Sequence, residues 1–481
     1  MSSIAALAFG GVVYSDVVDD WNNAYIQAIR ESGGAYSPLA PVAPGPTSRG
    51  LAMMNVGMYE AFNSITRGHE AYHSFLPCPP DASADAAMAV AAHDMLGEVY
   101  PNPTSLDIDA ILARHLAAIP DGASKDAGVA LGKACAAMMH DLRLNDGSTD
   151  DPPYVPGGNP GDWAPTPPAF LPPWGPGWAA VTPWCITSAD QFQLPGPAGY
   201  TNMLELLSSP EYAAQYDDAK AYGDLNSTVR TPYETETALF WSNDRDGTFK
   251  PPGHLMYITQ VVANDRGLAM EDKVRLYALV SLGMADAGIA AWYEKFFTDI
   301  DLWRPITAIQ QGDTDGNPAT VADPMWVPLA DNPLVPIHTP PFPAWVSGHA
   351  TFGAVHAAVM RNFFNTDDVT FTVTSDDTPG VFRTYTSFTD AAKENGRSRV
   401  LLGVHWQWDA DDAYTIGTNV GNWVSLHFLR RLGDLNGDDH IDGDDLGTFI
   451  AAWGATGGEA DLNKDGIVDG RDMGLLLSNW G

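Results

Sequence analysis

Basic side chains, cysteines and uninterrupted apolar runs are all scarce in this sequence of 481 residues. It has 25 lysines and arginines against 60 aspartates and glutamates, and its formal net charge of −35 disfavours nucleic acids and anionic membranes as partners. Three widely spaced cysteines, Cys78, Cys135 and Cys185, predict no disulfide framework. Apolar stretches such as 269–291 are interrupted by charged side chains, so the sequence predicts no membrane-spanning helix.

Residues 1–15 form a stretch of apolar and small residues that begins without a basic side chain. We interpret this stretch as the remnant of a signal peptide, in preference to a buried strand or helix, because small residues near Ser15 suit a cleavage point. Together with the acidic composition, this interpretation predicts a secreted, periplasmic or cell-surface protein.

Helical periodicity dominates the rest of the sequence, with apolar residues at spacings of three and four between Gly, Pro, Ser or Asp. The predicted helices span 17–30, 50–65, 83–100, 106–118, 123–144, 235–242, 253–264, 271–298, 350–365, 387–404 and 411–432. Residues 152–183 contain 11 prolines in 32 positions, which no regular element tolerates, so we expect an extended belt there. The periodicity therefore predicts an all-α fold.

Two arginines in separate segments are candidate ligands for a tetrahedral oxyanion. Arg304 lies in the run LWRPITAI, and Arg399 lies in the run SRVLLGVHWQWD that covers residues 398–409. A planar, permanently charged guanidinium can donate two parallel hydrogen bonds to two oxygens of one phosphate or vanadate, whereas a lysine cannot. We therefore expect both arginines to hold one oxyanion.

A helix start and two histidines supply the remaining groups. Ser347, Gly348 and His349 precede an apolar stretch that predicts a buried helix, so its first amides would face the anion and His349 would act as acid or base. His405 and Asp409 are four residues apart, so the carboxylate can hold one ring nitrogen and leave the other for phosphorus or vanadium. Any single segment of this kind is more often structural, but three in this order favour one site.

These three segments resemble the signature of the vanadium-dependent haloperoxidases and the type 2 phosphatidic acid phosphatases, and the run DAGIAAWYEK with the third motif GVHW resembles the haloperoxidase branch. The likeness covers about residues 16–432. It implies a core of two helical bundles, a resident vanadate with His405 as its apical ligand, and the oxidation of halide by hydrogen peroxide to hypohalous acid. In that chemistry His349 and Lys295 polarise peroxide, while Phe342 and Trp292 line the halide pocket.

Two positions depart from the pattern of that family. Val346 stands where the family usually has proline. The family places a lysine seven residues before the first arginine, where this sequence has Phe297, and Lys295 is nine residues before Arg304. An insertion of two residues would bring Lys295 to the oxyanion, and the alternative is that Lys295 is the solvated partner of a nearby carboxylate.

Other functions would use the same residues. An acid phosphatase would use His405 as the nucleophile toward a phosphate ester. A non-catalytic oxyanion-binding scaffold is disfavoured because it would give His349 no chemical role. Lipid phosphatases of this superfamily have long apolar spans that this sequence lacks, so a soluble haloperoxidase is the leading hypothesis.

The sequence after Leu432 has a different chemistry. Two acidic segments repeat with an offset of 27 residues, and their residue types match positions 1, 3, 5, 7, 9 and 12 of an EF-hand calcium loop. The residue at position 7 would contribute its backbone carbonyl. The candidate ligands are Asp434, Asn436, Asp438, His440, Asp442 and Asp445 in the first loop and Asp461, Asn463, Asp465, Ile467, Asp469 and Asp472 in the second.

This repeat resembles a dockerin, a family in which Asp replaces Glu at the last ligand position. The resemblance implies that residues 433–481 bind calcium and attach the protein to a cohesin-like partner. A disordered acidic tail is the alternative, but such tails do not repeat tryptophan and glycine in register. Only the second loop has the expected turn glycine, Gly466, while the first has Asp439 at that position.

Overall fold

The computed structural model describes residues 16–33, 43–101, 105–332, 337–438 and 440–481, so residues 1–15 and their interpretation as a signal peptide lie outside the described residues. The described part of the chain is mainly helical, which confirms the predicted all-α class apart from one two-stranded hairpin. The helices are α1 (Val17–Glu31), α2 (Pro44–Thr66), α3 (Ala84–Val99), α4 (Ile108–Ala117), α5 (Ala123–Arg143), α6 (Met203–Leu207), α7 (Pro210–Gly223), α8 (Pro232–Phe240), α9 (Lys250–Asp265), α10 (Met270–Phe296), α11 (Pro305–Gln310), α12 (Gly348–Phe364), α13 (Phe388–Leu401), α14 (Gln407–His427), α15 (Gly443–Ala451) and α16 (Gly470–Ser478). The hairpin pairs β1 (Asp368–Thr374) antiparallel with β2 (Phe382–Ser387).

Several helix ends differ from the periodicity because caps and turns decide them. Helix α8 begins three residues before the predicted position, since Thr231 and Glu234 form a capping box there. Helix α2 begins at Pro44, a residue that suits the first helical turn. Apolar periodicity does not predict helix α7, because this helix has no apolar stripe, although Ser209 caps its start.

Helix α10 lies in the main apolar core, in contact with α2, α12 and α14. Helices α12 and α14 approach each other closely at Gly417 and Gly421. A Cβ on Gly417 would lie 2.5 Å from the carbonyl oxygen of Thr351, so a larger residue would push the helices apart. Because α12 begins after Ser347 and α14 follows His405, this close packing sets the separation of the second and third motifs.

Among the described residues, α10 alone is long and apolar enough to cross a membrane, but 94% of its most apolar window is buried inside the protein. Such burial is typical of a core helix, which passes the same length and composition test. This agrees with the prediction of a protein without a membrane-spanning helix.

Residues 152–183 contain no α-helix or strand, as predicted for the proline-rich belt, but Trp178–Ala180 form a short 3-10 helix in which Trp178 is buried. The chain that follows is held on α10 by two buried carboxylates. Asp286 accepts the amides of residues 184–186 at 2.8, 2.7 and 2.9 Å, and Glu294 accepts the amide of Leu194 at 2.9 Å. Burial raises the pKa of Asp286 to about 6 and that of Glu294 to about 8. Asp286 and Glu294 of α10 therefore anchor the chain that follows the belt.

The C-terminal residues pack against the helical domain. Helices α15 and α16 bury an apolar cluster that includes Phe449 and Leu476, and Leu432 and Phe75 of the helical domain contact the same cluster. The side-chain amide of Asn479 donates to the carbonyl of Arg67 at 3.2 Å. The division at residue 432 stays a prediction, but the two parts share apolar contacts as well as a chain connection.

We predict that Gly417→Ala lowers the free energy of unfolding by about 2 kcal/mol, because the added Cβ meets a backbone oxygen that cannot move alone. Gly57→Ala in α2 is the matched control, since its Cβ would lie 3.6 Å from the flexible Met95 side chain and should raise stability by up to about 1 kcal/mol. Urea unfolding followed by circular dichroism measures both. Equal effects would contradict the close approach of α12 and α14.

Candidate active site

His405 ends a tight turn between α13 and α14. Gly403 has a φ of +79° in this turn, and a Cβ there would lie 2.7 Å from the carbonyl oxygen of Gly223, so the position favours glycine. Nδ1 of His405 lies 2.8 Å from Oδ2 of Asp409, which also accepts the amide of Trp406 at 3.1 Å. A ring that donates through Nδ1 carries its lone pair on Nε2. Asp409 thus contacts one ring nitrogen of His405, as the spacing of four residues predicts.

Burial governs the charge of this pair. Burial lowers the pKa of His405 well below its usual value, and the nearby cations of Arg304, Lys295 and Arg399 lower it further. Burial also raises the pKa of Asp409 to about 7, against the opposing effect of Lys295 and Arg304. The imidazole is therefore neutral near pH 7, with a lone pair on Nε2.

Arg304 precedes α11 and is fully buried. Its Nε donates to the carbonyl of Phe342 at 2.8 Å, and its Nη1 donates to the carbonyl of Val404 at 2.7 Å. The same Nη1 lies 3.0 Å from Nε2 of His405. These contacts join the first motif to the third and set a guanidinium beside the imidazole lone pair.

Arg399, on α13, is also fully buried, and it is held by a residue that the sequence analysis missed. Its Nη2 lies 3.1 Å from Oδ2 of Asp244, in the connection between α8 and α9. Its Nε and Nη1 are buried and have no hydrogen-bond partner among the described residues. No local spacing marks Asp244, because it lies 155 positions from Arg399 and only the fold brings them together.

His349 lies in the first turn of α12. Its Nε2 donates to the carbonyl of Ser242 at 2.9 Å and lies 3.8 Å from Oδ2 of Asp244. Burial lowers the pKa of His349 well below its usual value, with Arg399 adding to the effect, so this ring is also neutral. Ser347 caps the helix, and the first amides of any helix have no partner within it.

Lys295 is fully buried near the end of α10, so it is not the solvated partner of a carboxylate. Its Nζ donates to the carbonyls of Pro343, at 2.8 Å, and Ala344, at 3.2 Å, and also to that of Val346. Burial lowers the pKa of Lys295 well below its usual value, and Arg304 lowers it further. All three donors of the ammonium thus face the segment that leads into α12.

Phe342 and Trp292 form an aromatic wall beside these groups, with ring centroids 4.9 Å apart. Nζ of Lys295 lies 4.8 Å from the centroid of Phe342. The belt covers this wall, since the amide of Trp174 donates to the carbonyl of Pro341 at 2.9 Å and its ring contacts Trp292 edge-on. A small cavity lies between the wall and the histidines, lined by Trp292, Phe342, Gly348, His349, Phe352 and His405 among others.

These residues fit a tetrahedral oxyanion. Arg399 retains two buried donors, the start of α12 offers backbone amides, and Nε2 of His405 offers a lone pair to a central atom. Buried guanidinium groups and the amides at a helix N-terminus both stabilise a bound anion. A small cavity lies directly beside His349 and His405.

The candidate calcium ligands lie in two similar loops. In the first loop, Oδ1 of Asp434 accepts the amide of Gly437 at 2.7 Å, and both carboxylate oxygens of Asp445 accept backbone amides. Asp461 and Asp472 make equivalent bonds in the second loop. Across the described residues, no three or more acidic, histidine or cysteine side chains form a ready-made metal cluster. Asp439 lies outside the described residues, whereas Gly466 has the φ of +97° expected of a turn glycine.

Comparison with known proteins agrees with this geometry. Residues 275–434, which contain all three motifs, match the family described as the VCPO second helical-bundle domain. A vanadium chloroperoxidase from Curvularia inaequalis is 28% identical over an alignment 501 positions long, and the alignment covers 82% of this chain and 79% of that protein. Over most of its length, the chain is thus similar to a vanadium chloroperoxidase.

Solved haloperoxidase structures share the fold. A bacterial vanadium-dependent iodoperoxidase has a TM-score of 0.68 and 23% identity, covering 86% of this chain and 97% of its own. A holo-type bacterial vanadium-dependent chloroperoxidase has a TM-score of 0.59 and 19% identity, covering 83% of this chain and 96% of its own. The helical-bundle architecture is therefore that of the haloperoxidases.

We predict that Arg399→Lys weakens the binding of vanadate and of phosphate by about 30-fold, because an ammonium cannot replace the two free donors of the guanidinium. Arg397→Lys is the matched control on the same helix, since Arg397 pairs with Asp218 at the surface. Isothermal titration calorimetry with each anion measures the affinities. An unchanged affinity in Arg399→Lys would show that the anion binds elsewhere.

Proposed function

We propose that this chain is a vanadate-dependent haloperoxidase that oxidises halide with hydrogen peroxide to hypohalous acid. The observation that carries the proposal is the guanidinium of Arg399, whose Nε and Nη1 are buried without a hydrogen-bond partner among the described residues. A buried cation with free donors is costly unless an anion meets it. The likeness to vanadium chloroperoxidase supports vanadate as that anion.

Different residues of the site would bind different parts of vanadate. When bound, vanadate supplies a Lewis-acidic centre that activates hydrogen peroxide toward a halide. Nε2 of His405 would bond vanadium, while Asp409 fixes the ring and keeps the proton on Nδ1. Arg304 and Arg399 offset the negative charge of the oxygens, and the first amides of α12, including that of Gly348, donate to them.

The side chains beside the oxyanion position would act on hydrogen peroxide and on the halide. His349 is neutral and lines the cavity, so it can accept a proton from hydrogen peroxide through the ring nitrogen that does not bond Ser242. Phe342 and Trp292 exclude water from the halide. Lys295 braces the carbonyls of residues 343–346 and adds positive charge behind the site, and it would have to release those carbonyls to contact the oxyanion itself.

An acid phosphatase is the second candidate, favoured by one observation. Nε2 of His405 is a lone-pair donor beside a buried guanidinium, which also suits in-line attack on a phosphate ester. Vanadate would then inhibit the reaction instead of enabling it. The two candidates therefore give opposite responses to the same reagent.

We predict that His405→Ala raises the dissociation constant for vanadate by about 100-fold, because it removes the proposed bond to vanadium. His349→Ala should change that constant by less than about tenfold, yet slow halide oxidation by about 100-fold or more through loss of proton transfer. The measurements are equilibrium dialysis with vanadate and iodide or bromide oxidation by hydrogen peroxide, before and after vanadate addition.

His140→Ala is the control, because His140 pairs with Glu98 in a partly exposed position and does not line the cavity beside His405. It should keep both vanadate affinity and oxidation rate. Hydrolysis of a phosphate ester that vanadate inhibits, in the absence of any halide oxidation, would replace the haloperoxidase proposal with the phosphatase.

We further propose that residues 433–481 form a dockerin-like module that binds two calcium ions and attaches the enzyme to a cohesin-like protein outside the cell. Its support is the repeat itself, in which the buried side chains of Asp445 and Asp472 accept the equivalent amides of Asn436 and Asn463. Oxygen ligands of this density are suited to calcium. The apolar rings of Trp453 and Trp480 are about half exposed, which leaves them available to a partner.

We predict that full-length protein binds two equivalents of calcium and that Asp445→Ala binds one, because only the first loop loses its last ligand. Asp444→Ala is the matched control, since that exposed neighbour occupies no ligand position. Calorimetric titration measures the stoichiometry. Vanadate-dependent halide oxidation should be the same in all three proteins. A full-length protein that binds no calcium at millimolar concentration would contradict the module's proposed chemistry.

A further inference from the structure

The connection between α8 and α9 carries two groups that touch the oxyanion site. The carbonyl of Ser242 accepts Nε2 of His349 at 2.9 Å, and the carboxylate of Asp244 meets Nη2 of Arg399 at 3.1 Å. These two residues lie in a segment without regular secondary structure. A segment of this kind needs external contacts to hold two groups in place, because fixing each backbone residue costs about 1–2 kcal/mol of conformational entropy.

Three residues of the segment are bonded by one side chain in the β1–β2 turn. The side chain of Asp377 is fully buried. Its Oδ2 accepts the amide of Asn243 at 2.6 Å and the hydroxyl of Ser242, while its Oδ1 pairs with the guanidinium of Arg245. One carboxylate therefore binds three residues of the segment, on both sides of Asp244.

The middle of the segment is held by the same turn. Asn243 adopts a φ of +44°, a conformation that few residues other than glycine and asparagine accept readily. Its side chain lies 3.0 Å from Nδ1 of His254 and accepts the hydroxyl of Ser375 at 3.3 Å. His254 in turn contacts the carbonyl of Thr374 at 2.9 Å through Nε2. The end of β1 and the turn after it thus enclose the segment at several points.

We propose that Asp377 is a positioning residue of the oxyanion site. It holds residues 242–245 so that the carbonyl of Ser242 orients His349 and the carboxylate of Asp244 orients Arg399. Asp377 itself has no bond to either of these two side chains, so its effect passes through the segment. This inference rests on the proposed function, because the site it serves is the one that would bind vanadate.

The neighbouring Asp376 provides a matched control. Its carboxylate pairs with Arg30 of α1 at 2.9 and 3.1 Å and makes no bond to residues 242–245. Both aspartates lie in the same turn and each pairs with an arginine, so loss of either removes an ion pair. Only Asp377 is connected to the groups that touch the site.

The test compares Asp377→Asn and Asp376→Asn in the full-length protein. Asparagine has the size of aspartate but loses the charge and one acceptor, so Asp377→Asn should raise the vanadate dissociation constant and lower kcat for bromide oxidation by about tenfold each. The KM for hydrogen peroxide should change less than kcat. Asp376→Asn should match the wild type in all three quantities, with melting temperatures recorded for both.

A double-mutant cycle with Asp244→Asn separates positioning from general destabilisation. Vanadate affinity should depend mainly on the route from Asp377 through Asp244 to Arg399, so the combined variant should bind vanadate little more weakly than Asp244→Asn alone. Additive effects would overturn the inference. If Asp377→Asn does not fold, Ser242→Ala removes one bond of the same network while keeping the carbonyl, and it should show a smaller change in the same direction.

The outcomes distinguish this inference from the proposed function. Wild-type protein that oxidises bromide with vanadate, beside an Asp377→Asn variant with unchanged vanadate affinity and kcat, would overturn the positioning role alone. Wild-type protein that binds vanadate but oxidises no halide would overturn the proposed function. A tenfold loss of vanadate affinity in Asp377→Asn would still support the positioning role in that case.

Discussion

The burial of two guanidinium groups is the constraint on which the rest of this structure depends. Arg304 and Arg399 have no exposed surface, and a buried cation is tolerated only where acceptors or an anion meet it. Arg304 bonds backbone carbonyls from two other segments, and Arg399 is paired with Asp244. The remaining donors of Arg399 are buried and would be satisfied by a bound oxyanion. The unfavourable burial of these donors would therefore contribute to the affinity for that anion.

The helical core supplies the rigidity that such a site needs. The amide of Ser347 donates to the carbonyl of Asp409 at 2.9 Å, which joins the start of α12 to the first turn of α14. Gly417 allows the same two helices to pack in close contact farther along. The ammonium of Lys295 binds the carbonyls that lead into α12. Each motif is thus fixed by backbone contacts as well as by its side chains.

Acidic side chains dominate the composition, yet the site gathers cations. Asp286 and Glu294 are used inside the protein to anchor the chain that follows the belt, and burial keeps their pKa values high. Asp409 and Asp244 orient the histidine and arginine side chains. These four carboxylates therefore support the chain that follows the belt and the cationic and histidine side chains of the site, an arrangement that would suit the anionic cofactor and halide proposed above.

The sequence by itself determined the helical class, the three motifs, the pairing of His405 with Asp409 and the start of α12 near Ser347, because these depend on local spacing along one helix or turn. Only the tertiary structure decided what Lys295 binds and brought Asp244 and Asp377 to the site. These contacts join segments that are far apart in the chain, and no residue spacing encodes which surfaces pack together. A buried side chain with a distant partner leaves no periodic signal, so its role emerges only from the packed fold.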